Sequence, residues 1–447
     1  LRPGAQMRSL AIYQDLIILN TVDAHIVGLD ARTGEVRWDT PVMPDHEGYG
    51  FSSGPVVADG VIVAGLRGCQ RFREETCYIV GLNARTGQII WKTSTVARPG
   101  ERGGDTWGDL PVLFRAGSDA WIPGSYDPVS GLVYYGTSQA KPWTREARGT
   151  DGDALYSNST LALDPATGEM KWYYQHLPGD SHDMDETFER ILVDYDGRQS
   201  VFTMGKLGIL WELDRVTGSF VNAIDLGYQN ILDVSPETGE VTYRDGMVVG
   251  VFEELYFCPS TGGFKSLRAM SYHPSAGAMY IPLNLHCETA EFLPVEMRDG
   301  GGGEGGVRER QNHFHPDSPD QLGEFHALDI RTGETLWKNR RRAPYNTAAL
   351  TTAGGLVFVG DWDRHIFAYD TDTGETRWES RLTTMANGYP ITYAVDGTQY
   401  VAFVAGSPLG GASWAATVPN DLLPELRNPR NAGNAIFVFA LPEEGPE

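Results

Sequence analysis

Three features of the sequence predict an all-β fold of repeated, blade-like sheets. A short phrase recurs six times, an apolar run of strand length precedes each copy, and the composition is rich in glycine and aromatic residues. The phrase sets an acidic residue first, Thr-Gly three and four positions on, and Trp eight positions on. It reads Asp30…Thr33-Gly34…Trp38, then Asn83…Thr86-Gly87…Trp91, Asp164…Thr167-Gly168…Trp172 and Asp214…Thr217-Gly218, the last without its Trp. Asp329…Thr332-Gly333…Trp337 and Asp370…Thr373-Gly374…Trp378 complete the series.

Each copy encodes a hairpin. An Asp or Asn opening a turn accepts backbone N–H groups, and the Gly that follows tolerates positive φ, so strand, tight turn and strand are specified together. Ile26-Val27-Gly28-Leu29 and His365-Ile366-Phe367-Ala368-Tyr369 are the strands ahead of the first and last turns. The recurring Trp falls at one fixed place on the second strand. Self-similarity of this kind marks units that bury their faces on their neighbours, as in a propeller. The copies lie 41 to 115 residues apart, which leaves room for eroded units and long loops.

At 447 residues the chain is long enough for about three domains, yet the repeats run from residue 30 to 378 with no Pro/Ser-rich linker. One domain over 1–447 is therefore expected. Gly 53, Pro 26 and 11% aromatics suit many turns and a stacked interior. No uninterrupted apolar run is long enough to cross a membrane as a helix, and charges and glycine interrupt the start at Leu1, so the sequence reads as a mature or trimmed form. A formal net charge of −23 argues against nucleic acid, whose phosphates demand Lys and Arg.

The four cysteines group as Cys69 with Cys77 and Cys258 with Cys287, each pair flanking a loop-like segment. Two disulfides and an oxidising compartment are expected, four free thiols in a cytosolic chain being the alternative. Cys-x-x-Cys-His is absent, so no covalently attached c-type haem is encoded. The cysteine spacing is not that of a zinc finger. Gly-x-Ser-x-Gly is absent too, which removes the sequence support for hydrolase chemistry of that kind.

With four further segments, the repeats resemble the pyrroloquinoline-quinone (PQQ) dependent alcohol dehydrogenases. The segments are Trp121-Ile-Pro-Gly-Ser-Tyr-Asp-Pro128, Tyr135-Gly-Thr-Ser-Gln139, Pro178-Gly-Asp-Ser-His-Asp-Met-Asp185, and Gly388-Tyr-Pro-Ile-Thr392 with the Thr398-Gln-Tyr-Val-Ala402 that follows. The resemblance runs along nearly the whole chain in family order. It implies an eight-bladed β-propeller with tryptophan-docking repeats, PQQ and a calcium or lanthanide ion at its axis, and a periplasmic location. It also implies that part of the family's N-terminal segment is missing and that Ile436-Phe-Val-Phe-Ala-Leu441 is a candidate closing strand.

Oxidising an alcohol by hydride transfer to a quinone carbonyl requires a base, a Lewis acid, a platform for the flat cofactor and cations for its carboxylates. The string Gly179-Asp-Ser-His-Asp-Met-Asp-Glu186 supplies carboxylates. Asp183 and Asp185, two apart on extended backbone, are expected to face one side and reach one cation. In isolation such a string is most often a solvated acidic loop. By resemblance, Asp183 is the catalytic base and a metal ligand, and Asp185 the extra acidic ligand of the lanthanide-using branch.

Two departures concern the metal. The family's metal-binding Glu falls at Gln70 in Gly65-Leu-Arg-Gly-Cys-Gln70, and its metal-binding Asn falls at Gln139. Both keep a carbonyl oxygen fit for a hard cation, but Gln70 removes a charge that Asp185 could restore. Glu74 and Glu75 are the other candidate sources of the missing carboxylate.

Trp121 matches the Trp beneath the quinone, although a Trp ahead of a turn is ordinarily core. Lys206, between apolar Val201-Phe202 and Ile209-Leu210-Trp211, matches the cation beside the reactive carbonyl. A strand lysine is ordinarily exposed, but this setting favours an inward charge. Arg8 and Ser52 match partners of the cofactor carboxylates, Trp414 a wall of the pocket, and Ser266 replaces an Asn that contacts the cofactor. Gly300 to Gly306 reads as a flexible flap. His313 and His315 could bind metal, though loop histidines usually do not.

The expected activity is oxidation of an alcohol, polyol or bulky alcohol to aldehyde or ketone, with electrons leaving to a separate cytochrome c. The alternative from another class is a non-catalytic propeller of the same repeat, such as the outer-membrane assembly lipoprotein. That alternative explains the repeats but gives no reason for Trp121, Asp183, Asp185 and Lys206 to stand in family order.

Overall fold

A computed structural model describes residues 9–43, 48–75, 77–406, 414–426 and 433–440. Arg8 lies outside the described residues, as does Leu441 of the candidate closing strand. The chain divides into two compact units, Leu1–Phe257 with Glu288–Gln311 and Cys258–Cys287 with Asn312–Glu447.

The first unit holds four antiparallel four-stranded sheets, each strand hydrogen-bonded to the next in order. They are Ala11–Tyr13, Leu16–Asn20, His25–Asp30 and Val36–Pro41; then Val56–Ala58, Val61–Gly65, Tyr78–Asn83 and Ile89–Ser94; then Ser125–Asp127, Leu132–Gly136, Ser159–Leu163 and Met170–Gln175; then Ile191–Tyr195, Arg198–Met204, Ile209–Asp214 and Phe220–Asp225. The second unit holds two more, Ser271–His273, Ala278–Asn284, Gly323–Asp329 and Thr335–Arg341, and Leu350–Thr352, Leu356–Gly360, His365–Asp370 and Thr376–Arg381. A three-stranded sheet of Ala386–Val395, Thr398–Gly406 and Asn434–Ala440 follows, and the candidate closing strand is the last of these, paired with Thr398–Gly406. These are the blade-like sheets of the predicted all-β class.

The recurring phrase forms the turn between the third and fourth strands of each full sheet. Asp30 Oδ1 accepts the amides of Arg32 at 2.9 Å and Thr33 at 2.8 Å, and Gly34 N–H closes onto Asp30 O at 2.9 Å with φ +75° at the glycine. Asn83 makes the same bonds to Arg85 and Thr86, which is why Asn serves in place of Asp. A seventh copy escaped the sequence pattern because Ser235 replaces the acid. Gly239 N–H closes onto Ser235 O at 2.8 Å, and Leu232–Val234 pairs with Val241–Tyr243 around that turn.

The Trp links one sheet to the next. Four of the five rings lie against the turn glycine of the following sheet, so that a Cβ on Gly87 would fall 2.5 Å from Trp38, on Gly168 2.4 Å from Trp91, on Gly218 2.5 Å from Trp172, and on Gly374 2.6 Å from Trp337, while the fifth, Trp378, stands edge-on to Phe439 at 5.0 Å. Trp91 Nε1 donates to Pro165 O and Trp337 Nε1 to Thr371 O, both at 2.8 Å. The fourth copy lacks the Trp, and Phe220 lies on Gly239 instead, where a Cβ would fall 2.5 Å from its ring. The Trp ring also needs room on its own sheet, where a Cβ on Gly81 would stand 2.1 Å from Trp91.

Gly81→Ala is therefore expected to lower stability by at least roughly 1–3 kcal/mol through overpacking against Trp91. Gly354→Ala, whose added methyl meets nothing within 4 Å, should change it by less than about 1 kcal/mol. Denaturant unfolding of the two variants checks this, and equal effects would contradict the close packing of Trp91 over Gly81.

Candidate active site

Between Gly179 and Phe188 the chain forms no strand. Asp180, fully buried, shapes the segment by accepting the amides of His182 at 3.1 Å and Met184 at 2.9 Å. Burial alone would raise its carboxyl; His182 and those amides outweigh it and hold the group below the ordinary carboxylate range. Asp183 takes φ +64°, so the expectation of two carboxylates on extended backbone is corrected. A left-handed residue, braced by Asp180, brings Asp183 and Asp185 to a common partner.

That partner is Lys206. Its ammonium stands 3.0 Å from Asp183 Oδ2 and 2.9 Å from Asp185 Oδ2, and donates to Asp183 O at 2.6 Å. Gly205 permits the approach: a Cβ there would strike Glu186 Oε1 at 2.1 Å and Asp185 O at 2.5 Å. Burial works against the charge on Lys206, but the two carboxylates outweigh it and push the ammonium's pKa upward. Burial, with Asp185 and Glu304 adding to it, pushes the Asp183 carboxyl well above its ordinary value against the pull of Lys206.

Gln139 joins the same cluster. Its Nε2 donates to Asp183 Oδ1 and its backbone N–H points to Asp185 Oδ1 at 3.4 Å. Its Oε1 is buried with no hydrogen-bond partner. Two carboxylates and one unspent amide oxygen form an oxygen donor set of the kind hard cations take, so Asp183, Asp185 and Gln139 fit a metal ion.

A brace that the sequence did not reveal lies alongside. Asp119 accepts the amides of Gly68 at 2.6 Å and Cys69 at 2.9 Å through Oδ1, while its Oδ2 meets Lys141 Nζ at 3.0 Å and Ser138 Oγ at 3.3 Å. One carboxylate thus ties the loop presenting Gln70 to the segment carrying Gln139. The Cys69–Cys77 disulfide closes that loop, as predicted, and Cys258–Cys287 is the second bridge.

The glycine-rich segment is not a flap. Gly303 N–H donates to Gln70 O at 2.8 Å, Gly300 N–H to Phe72 O at 2.9 Å, Trp143 N–H to Glu304 O at 2.9 Å and Leu293 N–H to Gly305 O at 3.1 Å. Backbone bonding to the Gln70 loop and to Trp143 fixes it, a pairing that glycine content alone does not disclose.

Other predicted residues divide. Ser52 Oγ donates to Trp121 O at 3.0 Å, and the Trp121 ring stands edge-on to Phe188 at 5.5 Å, so this pair is brought together. Among the described residues no hydrogen bond joins the Gln70 side chain to Asp183, Asp185 or Gln139. Glu74 and Glu75 are exposed, Glu75 lying 3.6 Å from Lys92, so neither supplies a carboxylate to the cluster. Ser266 is buried with its Oγ unpartnered. Trp414 opens the helix Trp414–Leu422, and its side chain is outside the described residues. His315 is buried beside Cys258 and Cys287, whose sulfurs are spent on each other. Its Nδ1 accepts the amide of Asp317 at 3.1 Å.

Residues 5–227 and 339–401 match the family model of the PQQ-dependent glucose/ethanol/alcohol dehydrogenase β-propeller domain. That is more than half of the chain, and the chain belongs to this family. It is 29% identical to the quinoprotein alcohol dehydrogenase PedH of Pseudomonas putida, over 98% of this chain and 76% of that protein. It is also 29% identical to the quinohemoprotein alcohol dehydrogenase ADH IIB of Pseudomonas putida, over 97% and 64%. Among solved structures, a europium-containing methanol dehydrogenase aligns with a TM-score of 0.83 at 26% identity, over 98% of this chain and 81% of that one. The quinohemoprotein alcohol dehydrogenase of Comamonas testosteroni aligns at 0.79 and 26%, over 90% and 63%. The chain thus spans 63% to 81% of the length of these four.

Asp119→Ala should destabilise the protein by about 3–5 kcal/mol, because it leaves Lys141 buried without its partner and two loop amides unmet. Burial would raise the Asp119 carboxyl, but Lys141 and the loop amides hold it below its ordinary 3.8. Its stabilisation is therefore in place above that pH and is lost as pH falls through the lower folded value. The stability gap between wild type and Asp119→Ala should shrink from pH 7 to pH 3 in urea unfolding. A gap that widened would contradict the assignment.

Proposed function

We propose that the chain is a PQQ-dependent dehydrogenase that oxidises a primary or secondary alcohol to the aldehyde or ketone, in the periplasm, with a calcium or lanthanide ion held by Asp183, Asp185 and Gln139. The observation that carries the reading is the convergence of those three side chains with Lys206 in one buried cluster. Family membership and the alcohol dehydrogenase names of the relatives support it.

PQQ with its metal ion, when bound, supplies an electrophilic quinone carbonyl that accepts the substrate hydride. Asp183 takes the hydroxyl proton on a carboxylate oxygen. Burial raises its proton affinity, and Lys206, 3.0 Å away, favours the ionised form. The ammonium of Lys206 stays charged through its two carboxylates and sets a positive charge beside the cluster, favourable to negative charge developing there. Trp121, braced through its carbonyl by Ser52, offers an aromatic face to a flat cofactor.

Two disulfides support the oxidising compartment. A cytochrome c as electron acceptor belongs to the same proposal, supported by the haem-containing dehydrogenases among the relatives.

The direct test is dye-linked oxidation of a panel of alcohols by the purified chain supplied with PQQ and either Ca2+ or La3+. Turnover with at least one alcohol is expected, and no turnover together with no quinone binding would overturn the reading. Asp183→Ala should lower kcat by at least about 100-fold while leaving quinone absorbance on the protein. Asp185→Ala should weaken La3+ more than Ca2+, since the lost negative charge interacts more strongly with the trivalent ion. Unchanged affinity for both ions would remove Asp185 from the ligand set.

A further inference from the structure

The second unit contains a small pocket, open to solvent, lined by Gly262, Arg268, Asn284, His286, Leu322 and Pro344, with Val418 and Pro419 at its edge and an interior volume of about 20 Å³ behind the mouth. Arg268 is only 8% exposed, and among the described residues no carboxylate pairs with it. A buried guanidinium without a counter-ion is a costly arrangement unless something answers its charge.

Its protein contacts do not. With the Asn284 amide oriented to satisfy its neighbours, Asn284 Oδ1 accepts from Arg268 Nη1 at 3.1 Å and Nη2 at 3.3 Å, and its NH2 group donates to Leu283 O and Tyr345 O. Asn284 is neutral and its hydrogen bonds are spent. Arg268 Nε is buried with no partner, and so is His286 Nδ1. Burial, with Arg268 adding to it, lowers the His286 pKa to about 3, so the ring is neutral and one ring nitrogen carries a proton that it can donate. A metal cation is disfavoured here, since the pocket already holds one unanswered positive charge.

We propose that this pocket binds a carboxylate, held by the fork of Arg268 and by His286. Two unspent donors and one net positive charge match a planar two-oxygen anion, which a guanidinium receives in bidentate fashion. Ser260, Thr261 and Gly262 form a turn at the pocket rim, where Gly262 N–H is already committed to Ser260 Oγ at 3.0 Å, so the selectivity comes from the side chains. The proposal does not rest on the reading of the alcohol-oxidising cluster.

Isothermal titration of the full chain with sodium acetate, against sodium chloride at equal ionic strength, tests the proposal. Saturable heat with acetate and none with chloride is expected. Arg268→Gln should weaken acetate at least tenfold. Arg268→Lys, which keeps the charge and loses the fork, should also weaken it and covers the case in which the Gln variant does not fold. A peptide with a free C-terminal carboxylate, compared with its amide, separates a protein terminus from a small acid as the source of the group. Binding of acetate or of the free-acid peptide that both variants weaken supports the site. Absence of binding by both probes, equal heats with chloride, or undiminished binding by Arg268→Lys overturns it.

Discussion

The contact on which the blade-like sheets depend is a tryptophan ring laid against a glycine that has no Cβ. The same glycine takes positive φ to close the turn of its own sheet and leaves the space into which the neighbour's ring fits. One residue type therefore meets two demands that no other side chain meets together. The coupling makes the units cooperative: a sheet with its turn misformed would lose its partner's aromatic surface, and a sheet without its Trp would leave the next turn uncovered. Where the Trp is absent, at the fourth copy, Phe220 substitutes and meets a turn begun by Ser235, so the contact survives a change at both ends.

The candidate active site lies on the irregular segments that these sheets hold in place. Asp183 sits in a left-handed turn, Asp185 follows it, Lys206 comes from the bend between Arg198–Met204 and Ile209–Asp214, and Gln139 follows the strand Leu132–Gly136. None of these positions is set by strand alternation. Buried polar bonds set the segments around them: Asp180 to the amides of His182 and Met184, Asp119 to the amides of Gly68 and Cys69, and Lys141 to Asp119. Such bonds are strong in a dry interior and costly to leave half made, which makes the surroundings of the cluster rigid before any ligand arrives.

The repeats were legible because their chemistry is local. An acid, Thr-Gly and a Trp within nine residues state a turn and its docking ring, and the sheets follow. The seventh turn was missed for the same reason, since Ser235 makes the turn by backbone geometry with a weaker side-chain signal. Asp183, Asp185, Lys206 and Gln139 were legible through resemblance, and the structure brings them together. Their local geometry was not, because the bend at Asp183 depends on Asp180, and the approach of Lys206 depends on a missing Cβ at Gly205. Asp119, Lys141 and Arg268 gave no sequence signal: a single charged residue in a strand-rich chain is ordinarily exposed, and only the fold shows it buried. The glycine-rich run misled because composition reports conformational freedom, whereas the run is fixed by bonds to residues more than 200 positions away, as in Arg71 Nη1 to Gly300 O.

Both disulfides stand beside polar sites, and the reason is the same in each unit. A loop that presents polar groups inward lacks the regular backbone ladder of a strand, so a covalent cross-link adds to the apolar packing of residues such as Phe72. Cys69–Cys77 closes the segment from which Gly68 and Cys69 donate to Asp119. Cys258–Cys287 ties the turn at Ser260 to Gly262 against the strand end at His286, where Ser260 N–H donates to His286 O at 3.2 Å. A cross-link removes freedom chiefly from the unfolded chain, by an amount typically of about 2–4 kcal/mol, and does so without apolar area. It is therefore the stabilising device suited to segments whose side chains are committed to charge and hydrogen bonding, and both units use it at the places where such groups gather.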